Sequence, residues 1–155
     1  MSCCDQPGLM PVEAALERLL EQASAGAALE IESVELAEAD GRVLAEPLIS
    51  SLDLPPWANS AMDGYALALA DWQGTALQVS QRIQAGTAPT TLQPGTCARI
   101  FTGAPLPAGA DTVEMQENVE LAADGSVQFK HAMRLGQNVR AQGQETRVGD
   151  TVLPA

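Results

Sequence analysis

Apolar and polar positions along this chain change rhythm twice. Val12, Leu16, Leu19 and Ala23 recur at helical spacing, with Glu13, Glu17 and Glu21 on the other side. The spacing predicts a short amphipathic helix that opens at Pro11 and ends near Gly26. Its simplest reading is a packed edge helix; a docking surface is the alternative. Residues 1–9 read as a frayed end. Residues 29–36 (LEIESVEL) alternate apolar and polar with a change of phase at Ser33, which predicts an irregular strand. A short helical turn over 37–45 and a strand over Leu48–Ser51 follow. Residues 52–64 (LDLPPWANSAMDG) carry two prolines, an Asn and a Gly, and read as an ordered loop.

From residue 65 the rhythm is that of short strands. The candidates are 65–70, 76–83, 97–101, 112–116 and 127–131, separated by Gly- and Pro-bearing turns. Asp124-Gly125 between two alternating runs predicts a hairpin. This spacing suggests a small β-barrel or sandwich. Residues 136–150 are polar and glycine-bearing and read as a connection returning toward the N-terminal elements.

Composition narrows the picture. Aromatic residues are only 3% of the chain, so the core rests on Ala, Val, Leu and Ile. All five aromatics lie between Trp57 and Phe129, which places the best-packed unit there. The formal charge is −12, and no stretch offers the basic face a nucleic-acid binder needs. Cys3, Cys4 and Cys97 show no C-x-x-C spacing and His131 is the sole histidine, which argues against structural zinc and a disulfide framework. A reducing cytoplasm fits this usage. No signal-peptide pattern and no 18-residue apolar run occurs, so no membrane span is expected.

Three polar loops hold the candidate chemistry. In NSAMDGYA, residues 59–66, Asp63 either caps a local Asp-Gly turn or holds a carboxylate for a metal ion or leaving group. Spacing alone favours the turn cap, and Asn59 and Ser60 beside it lean slightly toward the second use. In ARIFTGAPLPAGAD, residues 98–111, a strand runs into Thr102-Gly103. There the hydroxyl can donate to an oxyanion and glycine permits close backbone approach. In GQNVRAQGQE, residues 136–145, Arg140 can fork onto a phosphate-like anion and Glu145 can meet a cation. Each loop alone also reads as an ordinary turn, and no nucleophile–base pair can be assembled from them.

Together and in order, the three loops are far more specific. D-x-P-x-x-x-x-S-A-M-D-G-Y-A from Asp53 to Ala66, R-I-x-T-G-A-P-x-P-x-G-A-D-x-V from Arg99 to Val113, and G-x-N-V-R-x-x-G from Gly136 to Gly143 resemble the molybdopterin molybdenumtransferases. These are the molybdenum cofactor insertases, a family that includes the C-terminal domain of gephyrin. The likeness spans roughly residues 8–155.

The resemblance implies an α+β, β-rich fold. In it, a small barrel- or sandwich-like β domain, residues 52–133, is inserted in an elongated α/β linker and dimerisation domain built from 8–51 and 134–155. The family's pterin-binding and small C-terminal β domains would be missing, so the chain reads as an N-terminal fragment, inactive by itself. The implied reaction joins molybdate to adenylated molybdopterin and releases AMP, with Mg2+. The implied partners are a second copy in the full-length homodimer and the molybdopterin adenylyltransferase, with no nucleic acid and no membrane.

By motif match Asp63 and Thr102 stand at catalytic positions. Ser60, Gly103 and Arg140 stand at substrate-binding positions, and Asp63 with Glu145 at the metal. Two departures are visible. Gln144-Glu145 replaces the family's usual Glu-Asp. Glu114 replaces an apolar residue, which implies that it faces solvent or that the strand register differs. A non-catalytic scaffold or dimerisation module is the alternative function.

Overall fold

A computed structural model describes residues 10–26 and 30–155. It divides into two units, Met1–Ala45 and Glu46–Ala155. The frayed reading of 1–9, and Cys3 and Cys4 with it, lies outside the described residues.

The first unit contains one α-helix among its described residues, α1 (Val12–Ser24), bounded by Pro11 and Ala25. The helix forms where the 3.6-residue period placed it, but none of its residues is buried. Val12, Leu16, Leu19 and Leu20 are all more than half exposed. The expected strand at 29–36 is also absent: Leu29 lies outside the described residues, and 30–35 have no ladder partner. Ile31 and Leu36 remain largely exposed. A single 3-10 turn, Leu36–Glu38, stands for the helical segment expected at 37–45.

The second unit is β-rich, with small sheets. Its centre is a four-stranded sheet ordered β4 (Gln78–Ile83), β5 (Thr96–Ile100), β3 (Gly64–Leu67), β6 (Thr112–Met115). β3 runs antiparallel to both neighbours, but β4 and β5 are parallel. A parallel pair needs a long connection. Here residues 84–95 provide it without a helix, anchored by buried Leu92, whose N–H donates to Ala108 O (2.8 Å). Strand β3 stops before residue 70 because Asp111 Oδ1 takes the N–H of Leu69 (2.9 Å) and turns the chain into a 3-10 segment.

Alternation along these strands builds a core on each face of the sheet. Ala66, Ile83, Ala98, Ile100 and Val113 pack on one side with Leu92 and Ala104. Tyr65, Leu67 and Cys97 pack on the other against Leu77, Val127 and Phe129. That second face is covered by the hairpin of β7 (Val119–Leu121) and β8 (Val127–Phe129). The Asp124-Gly125 signal marks its turn. Asp124 Oδ1 accepts from Ser126 N (3.0 Å) and Ser126 Oγ (2.7 Å), and Gly125 has φ +81°. Two further short pairings tie distant segments together. They are β1 (Leu48–Ile49) with β10 (Thr151–Leu153), and β2 (Asn59–Ser60) with β9 (Val139–Arg140).

Candidate active site

Strand β2 is two residues long and sits between the other two loops. On one side Ser60 pairs with Val139 and Asn59 with Arg140, and Ala61 N donates to Asn138 O (2.9 Å). On the other side Ser60 N donates to Ala104 O (3.0 Å), and Gly103 N to Ser60 O (2.8 Å). Three segments far apart in sequence thus meet at residues 59–63. Local chemistry explains the shape. Asn138 takes φ +55°, a left-handed conformation that Asn tolerates, while its side chain donates to Val113 O (3.0 Å).

The site's two catalytic candidates touch. Asp63 Oδ1 accepts from both the backbone N–H and the hydroxyl of Thr102, each at 2.8 Å. Among the described residues no donor reaches Oδ2. The Thr102 N–H, then its hydroxyl, and behind them the charge of Arg99, hold the Asp63 carboxyl below the usual aspartate range. Partial desolvation opposes them without reversing the direction. The group is therefore an anion at neutral pH with one oxygen pinned. One main-chain and one side-chain bond fix its base: Gln116 N donates to Asp63 O (3.0 Å), and Arg99 Nη1 donates to Gly64 O (2.8 Å).

The substrate-binding candidates behave differently from one another. Ser60 is fully buried, and its hydroxyl donates to Met62 O (2.6 Å). Gly103 uses its N–H on Ser60 and has φ +79°, with open space where a Cβ would stand. Its glycine is required by conformation, and no close approach of other groups demands it. Both residues shape the loop and have no spare N–H or O–H donor for a ligand. Arg140 is exposed, with a long contact from Nη1 to Asn59 Oδ1 (3.5 Å), so most of its fork is open.

Glu145 is exposed and hangs from a different anchor, its N–H donating to Leu54 O (2.8 Å). No contact brings it to Asp63, and no cluster of three metal-ligating side chains occurs among the described residues.

Two residues of structural weight escaped the sequence reading of roles. Asp53 Oδ1 accepts from Val148 N (2.9 Å) and Oδ2 from Gln142 Nε2 (2.8 Å), tying the start of the first motif to the third loop. The second is Glu114. It neither faces solvent nor shifts the register of β6, which pairs regularly with β3. It is 1% exposed and accepts from Met115 N (2.9 Å), Asn118 Nδ2 (2.8 Å) and Gln137 Nε2 (2.9 Å). A buried carboxylate is tolerated when N–H donors surround it. The polar sequence Q-E-N after β6 and Gln137 in the third loop were the available signal.

A β scaffold presenting three knitted polar loops, one with a pinned carboxylate, defines a domain whose candidate residues sit on loops. Residues 10–155 match the family model described as the MoeA N-terminal region, domains I and II, and the chain belongs to that family. The molybdopterin molybdenumtransferase of Nostoc sp. is 44% identical over 131 residues, covering 80% of this chain and 30% of that protein. The Haemophilus influenzae protein of the same name is 38% identical over 147 residues, covering 94% and 36%. A crystal structure of a molybdopterin biosynthesis MoeA protein from Pyrococcus horikoshii OT3 superposes with a TM-score of 0.78 at 33% identity, covering 94% of this chain and 40% of that one. The chain thus spans about a third of the length of these relatives.

Proposed function

We propose that this chain is the loop-bearing part of a molybdopterin molybdenumtransferase. The parent enzyme joins molybdate to adenylated molybdopterin and releases AMP. The observation that carries the reading is the Asp63–Thr102 pair: an ionised carboxylate with Oδ1 fixed by two donors and Oδ2 without a protein donor among the described residues. Such a group can orient a cation or a transferring oxygen with little motion of its own. Arg140, on the strand beside it, supplies a fork for an anionic part of the substrate.

Mg2+ usually binds through one or two carboxylates and keeps several waters. Asp63 Oδ2 fits the role of a single such ligand, and bound Mg2+ would neutralise charge on the reacting oxygens. Glu145 would contribute only from the 141–146 loop, separately from Asp63. The domain reading remains a β domain over 52–133 inserted between 8–51 and 134–155. The pairing of Leu48–Ile49 with Thr151–Leu153 supports it, since it brings the two flanks together. Homodimerisation, contact with the adenylyltransferase and a cytoplasmic location belong to the same proposal.

The test uses two proteins. An enzyme containing this chain, carrying Asp63→Asn, is expected to lose most AMP release while its melting temperature is little changed. The 155-residue chain alone, given adenylated molybdopterin, molybdate and Mg2+, is expected to release none, because one pinned carboxylate and one arginine are too few groups to position a large substrate for reaction. Wild-type rates in the Asp63→Asn enzyme would remove the catalytic assignment.

A further inference from the structure

Arg82 on β4 and Arg99 on β5 are register partners across the parallel pair, so they sit side by side on one face of the sheet. Both guanidinium groups stack on Phe101, with Cζ 4.6 Å and 4.4 Å from its ring centroid. Arg99 also lies over Tyr65 (5.2 Å). Like charges directly opposite on neighbouring strands repel unless something neutralises them. The surrounding carboxylates do so only in part: Asp63 feels the charge of Arg99, but without an ion-pair contact. Asp63 is bound by Thr102, Glu114 by Asn118 and Gln137, Glu117 by Gln116, Glu120 by Lys130, and Asp124 by Ser126 and Gln78. Among the described residues neither arginine has a carboxylate within ion-pair distance.

Arg99 spends three hydrogen bonds on Gly64 O, Ile100 O and Gln116 Oε1, which fix its head. Arg82 is exposed, and its guanidinium donates to no described residue. The pair opens into a cleft of about 780 Å³ between the sheet and the β7–β8 hairpin, walled by Tyr65, Val79, Val119 and Leu121. Tyr65 is largely buried, but its hydroxyl reaches solvent and has no hydrogen-bond partner among the described residues.

We propose that this cleft is a binding site for a phosphate-type dianion. The Arg82 fork grips it, Arg99 supplies a second fixed charge, and the Tyr65 hydroxyl is available as a donor. The aromatic and aliphatic walls suit a phosphate carried on an organic body better than the free ion. The inference does not depend on the insertase reading, because it rests on residues of the sheet face and hairpin and asks only for anion binding.

The test is NMR titration of the 155-residue chain with inorganic phosphate and with phenyl phosphate at constant ionic strength. Saturating shifts are expected at the amides of Arg82, Arg99, Phe101 and Leu121, with phenyl phosphate the tighter of the two. Equal affinity for the two probes would mark a free-oxyanion site, retaining the charge pair and discarding the organic body. Arg82→Gln is expected to weaken binding by at least about tenfold, the loss of one charge-assisted fork. Arg82→Lys keeps the charge but not the fork and should fall between. Arg82 is exposed, so both variants should keep the dispersed wild-type spectrum. Non-saturating shifts, or shifts that persist unchanged in Arg82→Gln, would overturn the proposal.

Discussion

Thr102 gives both of its donors to a single oxygen of Asp63. Its backbone N–H fixes where the carboxylate sits and its hydroxyl fixes how the plane turns. The hydroxyl that looked available to an oxyanion is thus engaged inside the protein, and in the proposed reaction Thr102 would act through Asp63.

The pair has a pH signature. Asp63 titrates below the usual aspartate range because both Thr102 donors favour the anion. A depressed folded-state value stabilises the fold above the unfolded aspartate value of about 3.9, and that contribution disappears as pH falls through the folded value. A carboxyl carbon titration by NMR should place the Asp63 midpoint below that of exposed aspartates. Thr102→Val, which keeps the N–H and removes the hydroxyl, should move it up but leave it depressed. An unchanged midpoint would mean that the hydroxyl does not reach the carboxylate in solution.

In the parent enzyme, Thr102→Val should therefore slow turnover less than Asp63→Asn. The loss of one hydrogen bond corresponds to about fivefold. Thr102→Ser, which retains both donors, should recover most of the rate. Rates measured at saturating substrate separate this from weaker binding. A loss in Thr102→Ser as large as in Thr102→Val would show that the two donors do not suffice and that the methyl group is needed as well.

Legibility followed the range of the forces involved. Strands β3 to β6 and β8 were readable because alternation reports burial directly, and the 119–129 hairpin because Asp124-Gly125 marks its turn. Strand β2, two residues long, was not, because it exists only through partners at 104 and 138–140. The parallel pairing of β4 with β5 was equally hidden, since a 12-residue connection with no helix carries no periodic signal. At the site, the residue types were legible but their mutual contacts were not. Ser60 and Gly103 have polar or permissive chemistry that fits substrate contact, yet the fold spends it on the loop.

Glu114 should be a stability residue. Glu114→Leu keeps the bulk but strands three N–H donors, on Met115, Asn118 and Gln137, in a buried site. The expected loss is about 3 kcal/mol. Glu114→Gln presents one oxygen and one competing donor and should lose about 1–2 kcal/mol. Urea denaturation of the three proteins measures both. A Glu114→Leu chain as stable as wild type would show that apolar packing at this position suffices.

Gly64 and Gly103 should respond to alanine for opposite reasons. A Cβ at Gly64 would lie 1.9 Å from the carbonyl oxygen of Glu114, a main-chain atom that cannot step aside without breaking the β3–β6 ladder. Gly64→Ala should cost at least about 3 kcal/mol or prevent folding. A Cβ at Gly103 meets open space, but its φ of +79° is strained for any L side chain, at about 1–2 kcal/mol. Gly103→Asn, which tolerates positive φ, should recover part of that loss, whereas no side chain should rescue Gly64. Comparable losses at the two positions would contradict this division.

Cys97 should be chemically silent in the folded chain. It is fully buried on β5 and packs with Leu77 and Val127, its sulfur 3.9 Å from Leu77 O. Burial pushes its thiol up to about 12, so almost no thiolate exists at neutral pH. The unfolded thiol ionises near 8.5. A raised folded value means the contribution to stability is complete below that pH and declines as pH rises toward the folded value. Iodoacetamide at pH 8, followed by peptide mass spectrometry, should leave the Cys97 peptide unmodified in the native chain and alkylate it fully in urea. Repeating the labelling with Gly103→Ala, which is destabilised but not disrupted, should raise the rate at Cys97 in proportion to the unfolded fraction. Rapid native labelling at Cys97 would mean that β5 opens locally, without global unfolding.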